Sequence, residues 1–278
     1  MGWFNSVKFR DGRSGERTVP RDSGPCYSCV SLFVRSRSIF TACLSRRILL
    51  YAYLPLIAVF YFGSLITAVW LSPHSYDWRR IAISKLLYPG YDPSFHHLAS
   101  LGVALAGMLI LPFAASIRRA LRIASGGAAD AGAFALGFGA IGLIMAALIV
   151  SHPAQGTPVF PRLHEMLART AAAALGAGMI TLWVCVAKAY LASSAKRRQW
   201  RWLLVSWSLI TLPALLIAIL RVMVGAHLDW SNPICHKLED RALWHLGFWE
   251  WLGSAAVFLF LLSAALFLPE NDSLTPSG

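Results

Sequence analysis

Eight histidines and a small number of acidic side chains are the groups of this chain with the greatest capacity for chemistry. Imidazole and carboxylate groups bind metal ions and transfer protons, provided that the fold brings several of them together. Glu250 is the most unusual of them, because it lies between Trp249 and Trp251 in a strongly apolar stretch. An unpaired carboxylate inside a membrane span costs about 3 kcal/mol, so we expect a neighbouring His or Arg to be the partner of Glu250.

The elements that position these groups are membrane spans. Of the 278 residues, 57% are apolar and 14% are charged, whereas about a quarter of the residues in soluble domains are charged. The apolar residues fall into six blocks of about 18–25 residues, each long enough to cross about 30 Å of hydrocarbon as a helix. The predicted spans are residues 48–71, 98–117, 131–150, 166–190, 203–220 and 246–268. We therefore expect an all-α fold, a polytopic membrane protein built as a bundle of six transmembrane helices.

Three regions follow from this pattern. Residues 1–47 are polar and basic with no sustained apolar periodicity, and we expect them to form a disordered cytoplasmic tail. Residues 48–268 form the six-span membrane domain, and residues 269–278 form a short cytoplasmic C-terminal tail. The function is therefore expected to reside in the membrane domain.

The distribution of charge predicts how the spans are oriented. The formal net charge is +12, and basic residues concentrate on the side of the bundle that holds both termini. That side has 17 basic and 6 acidic residues, whereas the opposite side has 8 basic and 7 acidic residues. The positive-inside rule then places both termini in the cytoplasm and the odd-numbered loops outside.

The excess of positive charge therefore reports topology, and no fold signature of a nucleic-acid-binding module accompanies it. The expected partner is the lipid bilayer and not a nucleic acid. Arg, Ala and Leu are abundant, which is typical of GC-rich bacterial genomes. The expected location is the inner membrane of a bacterium, crossed several times by the chain.

All eight histidines fall on the external side under this topology, and several lie at the ends of spans. That face is chemically distinct, and we expect a polar, His-rich pocket to open outward there. The residues predicted to line it are Ser84, His97, Pro153, His164, Asp229, His245 and Glu250. The leading interpretation is a membrane protein that binds a small or lipid-like ligand in this pocket.

Other interpretations are compatible with the same residues. In a zinc-dependent hydrolase of a lipid or amide, the metal ligands would be His97, His164 and His245. Glu250 would then act as the base and Ser84 would stabilise the oxyanion. The sequence has no HExxH motif to support such a site, and no internal repeat to support a small transporter. In a purely structural interpretation, interfacial His, Trp and Tyr side chains occupy the headgroup region.

Small residues in two spans predict close helix packing, because glycine and alanine at spacings of three and four leave one helix face nearly smooth. In the third span these residues are Gly132, Ala135, Gly139, Gly142 and Ala146. In the fourth span they are the pairs Ala172 with Gly176 and Ala174 with Gly178. The spans are therefore expected to form one compact bundle.

Short motifs at the external ends of the spans point to a family. The segment after the first span contains Ile83-Ser84-Lys85-Leu86, the third span is followed by Pro153, and His164 opens the fourth span. In these features the chain, over approximately residues 48–268, resembles the bacterial membrane family called domain of unknown function 998. The resemblance implies a six-helix integral membrane protein in which Ser84, Pro153 and His164 match recurring positions of the family. It implies no established reaction.

The orientation can be tested with reporter fusions. A fluorescent protein fused to the C-terminus is expected to fluoresce, and alkaline phosphatase at the same position is expected to be inactive. Phosphatase inserted between the first two spans is expected to be active, because that loop is predicted to be external. The opposite pattern of activities would show that the bundle is inverted.

Overall fold

The computed structural model describes residues 45–72, 75–89, 94–151, 159–192, 196–225 and 245–269. In these residues the regular secondary structure is entirely helical. The helices are α1 (Arg46–Leu71), α2 (Ile83–Leu86), α3 (His96–Ser125), α4 (Gly127–Ser151), α5 (Val159–Ala192), α6 (Arg197–Gly225) and α7 (Leu246–Phe267). The predicted tails lie almost wholly outside the described residues, so the predicted domain boundaries stay predictions.

Five helices in the described part of the chain are long and apolar enough to cross a membrane: α1, α3, α4, α5 from Leu163, and α7. The prediction of an all-helical, multi-pass membrane protein is therefore confirmed. The predicted fifth span lies within α6, which has 29 residues but is not among these five. The number of six spans stays a prediction.

α6 nevertheless packs against both α5 and α7. Trp207 is completely buried, and its ring stacks on Phe260 of α7 at a centroid distance of 3.9 Å. The indole nitrogen of Trp207 also donates a hydrogen bond to the Phe260 carbonyl at 3.2 Å. On the other side, Trp183 of α5 donates to the hydroxyl of Ser208 at 2.9 Å. Indole groups therefore join α6 to both of its neighbours.

α1 contains two π-helical stretches, Leu49–Tyr53 and Val59–Gly63. In the first, the Leu54 amide donates to the Leu49 carbonyl, five residues back, and Pro55 follows without an amide hydrogen of its own. A π-helical turn is wider than an α-helical turn and is frequent at functional sites. The second stretch carries Tyr61 and Phe62, which both contact α7.

α4 and α5 pack closely against each other, as the small residues predict. A Cβ atom on Gly139 would lie 2.8 Å from the backbone nitrogen of Leu175 in α5. A Cβ atom on Gly178 would lie 2.7 Å from the backbone nitrogen of Leu136 in α4. The predicted close packing is thus confirmed for these glycines, since real Cβ atoms do not approach backbone so closely. Gly176 is away from the contact, because a Cβ atom there would meet nothing within 4 Å.

The two ends of the bundle differ in chemistry. At the basic end, which we define by Arg46, Arg118 and Arg122, Arg46 donates to the carbonyl of Ala265 at 2.8 Å and to that of Leu266. Arg118 and Arg122 lie 2.6 Å and 3.8 Å from the Asp130 carboxylate. The opposite, loop end carries residues 75–89 and the N-termini of α3 and α7. The links at the basic end tie α1 to α7 and α3 to α4.

Replacing Gly178 with alanine should lower the free energy of unfolding by about 1–3 kcal/mol, because the added methyl group overpacks a backbone contact. Gly176→Ala is the matched control on the same helix. It should leave stability unchanged or raise it by up to about 1 kcal/mol, since alanine favours helix. Unfolding of the purified protein in mixed detergent micelles measures both. Equal stabilities for the two variants would contradict the tight contact.

Candidate functional site

Residues 75–89 fold onto the loop end of the bundle. The segment begins with a turn in which the Asp77 carbonyl accepts hydrogen bonds from the amides of Arg80 and Ile81. The one-turn helix α2 follows, with Ile83 and Leu86 buried three residues apart on one face. These two side chains pack in a cluster with residues of α1, α3 and α4. The spacing of the Ile-Ser-x-Leu motif is therefore explained by the burial of its two apolar residues.

Glu250 of α7 caps the N-terminus of α2. Its Oε2 atom accepts hydrogen bonds from the backbone amides of Ile83 at 2.5 Å and Ser84 at 3.4 Å. Ala82, at the N-cap position of α2, has no side-chain acceptor of its own. The first amides of a helix have no partner within it and carry partial positive charge, so a carboxylate satisfies them well. Glu250, which belongs to α7, therefore provides the hydrogen-bond acceptor that an N-cap side chain usually provides.

The expectation that Glu250 pairs with a His or Arg is wrong for the described residues, whose ion pairs do not include it. The hydrogen-bond partners of the Glu250 carboxylate are instead the backbone amides of α2. The two predicted catalytic residues are therefore in contact, but through the main chain of Ser84 and not through its hydroxyl. A carboxylate engaged in capping has a structural task, which is a different role from that of a general base.

The main chain of the loop also contacts the first turn of α7 directly. The Phe248 amide donates to the Arg79 carbonyl at 3.2 Å. Gly247 lies against Ile81 so closely that a Cβ atom at this position would be 2.7 Å from the Ile81 carbonyl carbon. Only glycine allows this approach. Together with Glu250, these contacts fix the loop to α7 at successive positions along both segments.

Three hydroxyl groups extend the connection to α1 and to the loop. Ser254 donates to the Glu250 carbonyl at 2.6 Å, so the Tyr61 hydroxyl, 2.5 Å away, is the donor to Ser254. Trp251 donates through its indole nitrogen to the Tyr76 hydroxyl at 3.0 Å. Tyr76 in turn donates to the Ile81 carbonyl at 2.9 Å. These bonds join α1, α7 and the loop into one unit.

An aromatic groove of about 610 Å³ lies between α1 and α7, beside this unit. Its volume is in the range of small-molecule pockets. The residues that line it are Phe62, Ile66, Val69, Tyr76, Trp78, Phe248, Trp251, Leu252 and Ala255. Trp251 and Tyr76, which take part in the hydrogen bonds above, therefore also form its walls.

Ring contacts set the shape of the aromatic groove. Phe62 stacks on Trp251 at a centroid distance of 6.4 Å and meets Phe258 edge to face at 5.6 Å. Trp78 lies 6.1 Å from Phe248. Ile66 is 59% exposed and Trp78 is 47% exposed, so the groove is open on the outer surface of the bundle. In a membrane, that surface faces lipid near the loop end.

The predicted pocket residues that the structure describes are not among those that line this groove. His164 is half-buried, and its Nδ1 atom lies 3.1 Å from the Ala146 carbonyl, so it joins α5 to α4. His245 immediately precedes α7 and is half-buried. His97 is exposed, whereas its neighbour His96 is buried, and the two rings lie 3.7 Å apart.

Pro153 and Asp229 lie outside the described residues. Among the residues that the structure describes, no three His, Cys, Asp or Glu side chains are grouped so that they could hold a metal ion. His97, His164 and His245 are all described, so they do not converge on a common point. The geometry gives no support to a zinc site built from these three histidines.

The aromatic residues of the groove were the part of the site that sequence reasoning missed. Their signal was present, because Trp and Tyr are enriched where helices meet the membrane interface. In the sequence, Trp251 is distinguished only by its position next to Glu250. Its approach to Phe62 depends on how α1 and α7 pack, which a sequence pattern does not reveal.

Comparison with known families and proteins adds one match. Residues 56–267 match the family model described as "Protein of unknown function (DUF998)". The matched range includes most of α1, the whole of α2 and α7, and every residue that lines the aromatic groove. No curated protein and no solved structure matches the chain.

Removing the cap tests the role of Glu250. Glu250→Ala should lower the free energy of unfolding by about 1–3 kcal/mol and speed hydrogen exchange at the amides of Ile83 and Ser84. Glu250→Gln should lose less, because the amide oxygen still accepts hydrogen bonds. Hydrogen exchange followed by mass spectrometry measures the effect on the loop.

Glu165→Ala is the control for loss of a carboxylate. Glu165 is exposed on α5 and pairs with Arg169 one turn away. Its removal should cost less than about 1 kcal/mol and leave the loop unchanged. If exchange at Ile83 and Ser84 is as slow in Glu250→Ala as in the parent protein, Glu250 does not hold the loop.

Proposed function

The chain belongs to the DUF998 family, whose function is unknown, and we propose that it binds a lipid-like ligand in the aromatic groove. The observation that carries the proposal is the groove itself, an apolar cavity of about 610 Å³ between two membrane helices. Aromatic and aliphatic walls suit an acyl chain. The loop that closes one end is held by directed hydrogen bonds to α7, so the cavity is preformed.

The proposal includes a topology. We propose six spans, with α6 as the fifth in chain order, because Trp207 and Ser208 tie α6 into the bundle. We also propose that the basic end faces the cytoplasm, since Arg46, Arg118 and Arg122 lie there. The groove then lies in the outer leaflet of an inner membrane.

The two alternative functions have less support. A zinc-dependent hydrolase acting on a lipid or amide would need its metal ligands to be grouped, and the three predicted histidines are not. A transporter would need a site near the middle of the membrane, whereas the groove lies near the loop end. Ligand binding needs only the cavity that is present.

Filling the groove should abolish binding. We expect a phospholipid with a photoactivatable diazirine in its acyl chain to label the peptides that contain Phe62 and Trp251. Ala255→Trp places a bulky ring among the lining residues and should reduce this labelling at least tenfold. Mass spectrometry of the crosslinked peptides measures the labelling of the purified full-length chain in lipid nanodiscs.

Two controls separate binding from general contact with lipid. Ala173→Trp adds the same ring at an exposed position of α5 and should leave groove labelling unchanged. The exposed, stacked pair Phe134 and Phe138 of α4 should be labelled equally in all variants, because it contacts bulk lipid only. Groove labelling no stronger than that of this pair would overturn the proposal.

A further inference from the structure

We infer that the ligand of the aromatic groove is an anionic phospholipid of the bilayer, whose phosphate is bound by Arg79 at the rim. The inference rests on the proposed function, since it concerns the headgroup of the same ligand. Arg79 follows Trp78, which lines the groove, and its guanidinium lies over the Trp78 ring, 5.3 Å from the centroid. The cation is therefore held next to the apolar cavity.

The main chain holds Arg79 in place on both sides. Its amide donates to the Asp77 carboxylate at 3.0 Å, and its carbonyl accepts from the Phe248 amide at 3.2 Å. The stem of the side chain therefore starts from an anchored backbone. A guanidinium that lies over an aromatic ring keeps its N–H donors, which match the oxygens of a phosphate.

The charges around Arg79 leave it available for an anion. Asp77 is the acid of this segment, and its other carboxylate oxygen lies 3.8 Å from the guanidinium of Arg80. Among the ion pairs within the described residues, none involves Arg79. Residues 75–89 carry Arg79, Arg80 and Lys85 against Asp77, and the Glu250 carboxylate of α7 lies against the same segment, so three basic and two acidic groups leave the rim positive. A negative headgroup complements this charge.

The combination of features selects a bilayer lipid over a soluble anion. A free phosphate would use Arg79 but leave the apolar cavity without an occupant, and a lipid without a phosphate, such as diacylglycerol, would fill the cavity but leave Arg79 without an anion. An anionic phospholipid satisfies both, with an acyl chain between α1 and α7 and its phosphate at the rim. A basic residue beside an anionic membrane contributes about fivefold in affinity.

The test compares two diazirine lipids with identical acyl chains, phosphatidylglycerol and diacylglycerol, on the full-length chain in nanodiscs. We expect the peptides of Phe62 and Trp251 to be labelled about fivefold more strongly by phosphatidylglycerol. In Arg79→Gln this ratio should fall to about one, with labelling by diacylglycerol unchanged. Arg79→Lys should give an intermediate ratio, because it keeps the charge without the planar fork.

Arg197→Gln is the matched control. The guanidinium of Arg197 also lies over an aromatic ring, 5.2 Å from the centroid of Tyr190. Arg197 is, however, the first residue of α6 and lies at the basic end. Its loss should leave the groove ratio unchanged. Melting temperatures of all variants identify any that fail to fold, and Arg79→Lys keeps the test decisive if Arg79→Gln is one of them.

Each other outcome overturns a different statement. Equal labelling of the groove by the two lipids overturns the anionic headgroup and leaves lipid binding intact. A ratio that is unchanged in both Arg79 variants overturns the role of Arg79. Loss of the preference in excess inorganic phosphate would show that the rim binds a soluble anion. Absence of groove labelling by either lipid overturns the proposed function itself.

Discussion

The hydrogen bonds from α2 to the Glu250 carboxylate are the interaction on which the loop end depends. A helix of four residues is far too short to be stable alone, since helix nucleation is unfavourable. α2 exists because Glu250 satisfies its first amides and because Ile83 and Leu86 are buried beneath it. The rest of the loop is placed by this anchor. Tyr76 and Trp78, which line the groove, belong to the same segment.

The choice of a carboxylate for this position has a physical reason. The site lies in the first turns of a membrane span, where an unpaired polar group is costly whether it belongs to the side chain or to the backbone. The hydrogen bonds between Glu250 and the N-terminus of α2 leave neither polar group unpaired. The partial positive charge of the helix end also matches the negative carboxylate. An alanine at position 82 leaves room for this arrangement because it offers no competing acceptor.

Much of the fold could be predicted from the sequence, because membrane spans are encoded by length and composition. The predicted spans at 98–117 and 166–190 match α3 and α5, although both helices continue beyond the apolar blocks. The extensions arise because helical hydrogen bonding does not end where hydrocarbon ends. The π-helical stretches of α1 were not predicted, since their hydrogen bonds follow local packing and no residue pattern specifies them.

The candidate site was less predictable, for a related reason. Sequence reasoning identified Glu250 as unusual and expected a charged side chain beside it, but the actual partners are backbone amides. Backbone groups are present at every residue, so a sequence cannot show which of them a fold will expose. The chemistry of the histidines favours the prediction of a polar pocket, whereas the groove is built mainly from aromatic and aliphatic side chains. A sequence identifies such aromatic residues only as typical of the membrane interface.

The distance along the chain between Ile83 and Glu250, 167 residues, has a consequence for biosynthesis. At about 5–20 residues per second, translation separates the two partners by roughly 10–30 s. During that interval the first loop has emerged while its anchor has not yet been made. The Ile-Ser-Lys-Leu segment therefore lacks its carboxylate partner until α7 has been made. Closure of the loop end depends on the synthesis of α7, and a chain that stops before α7 lacks the groove.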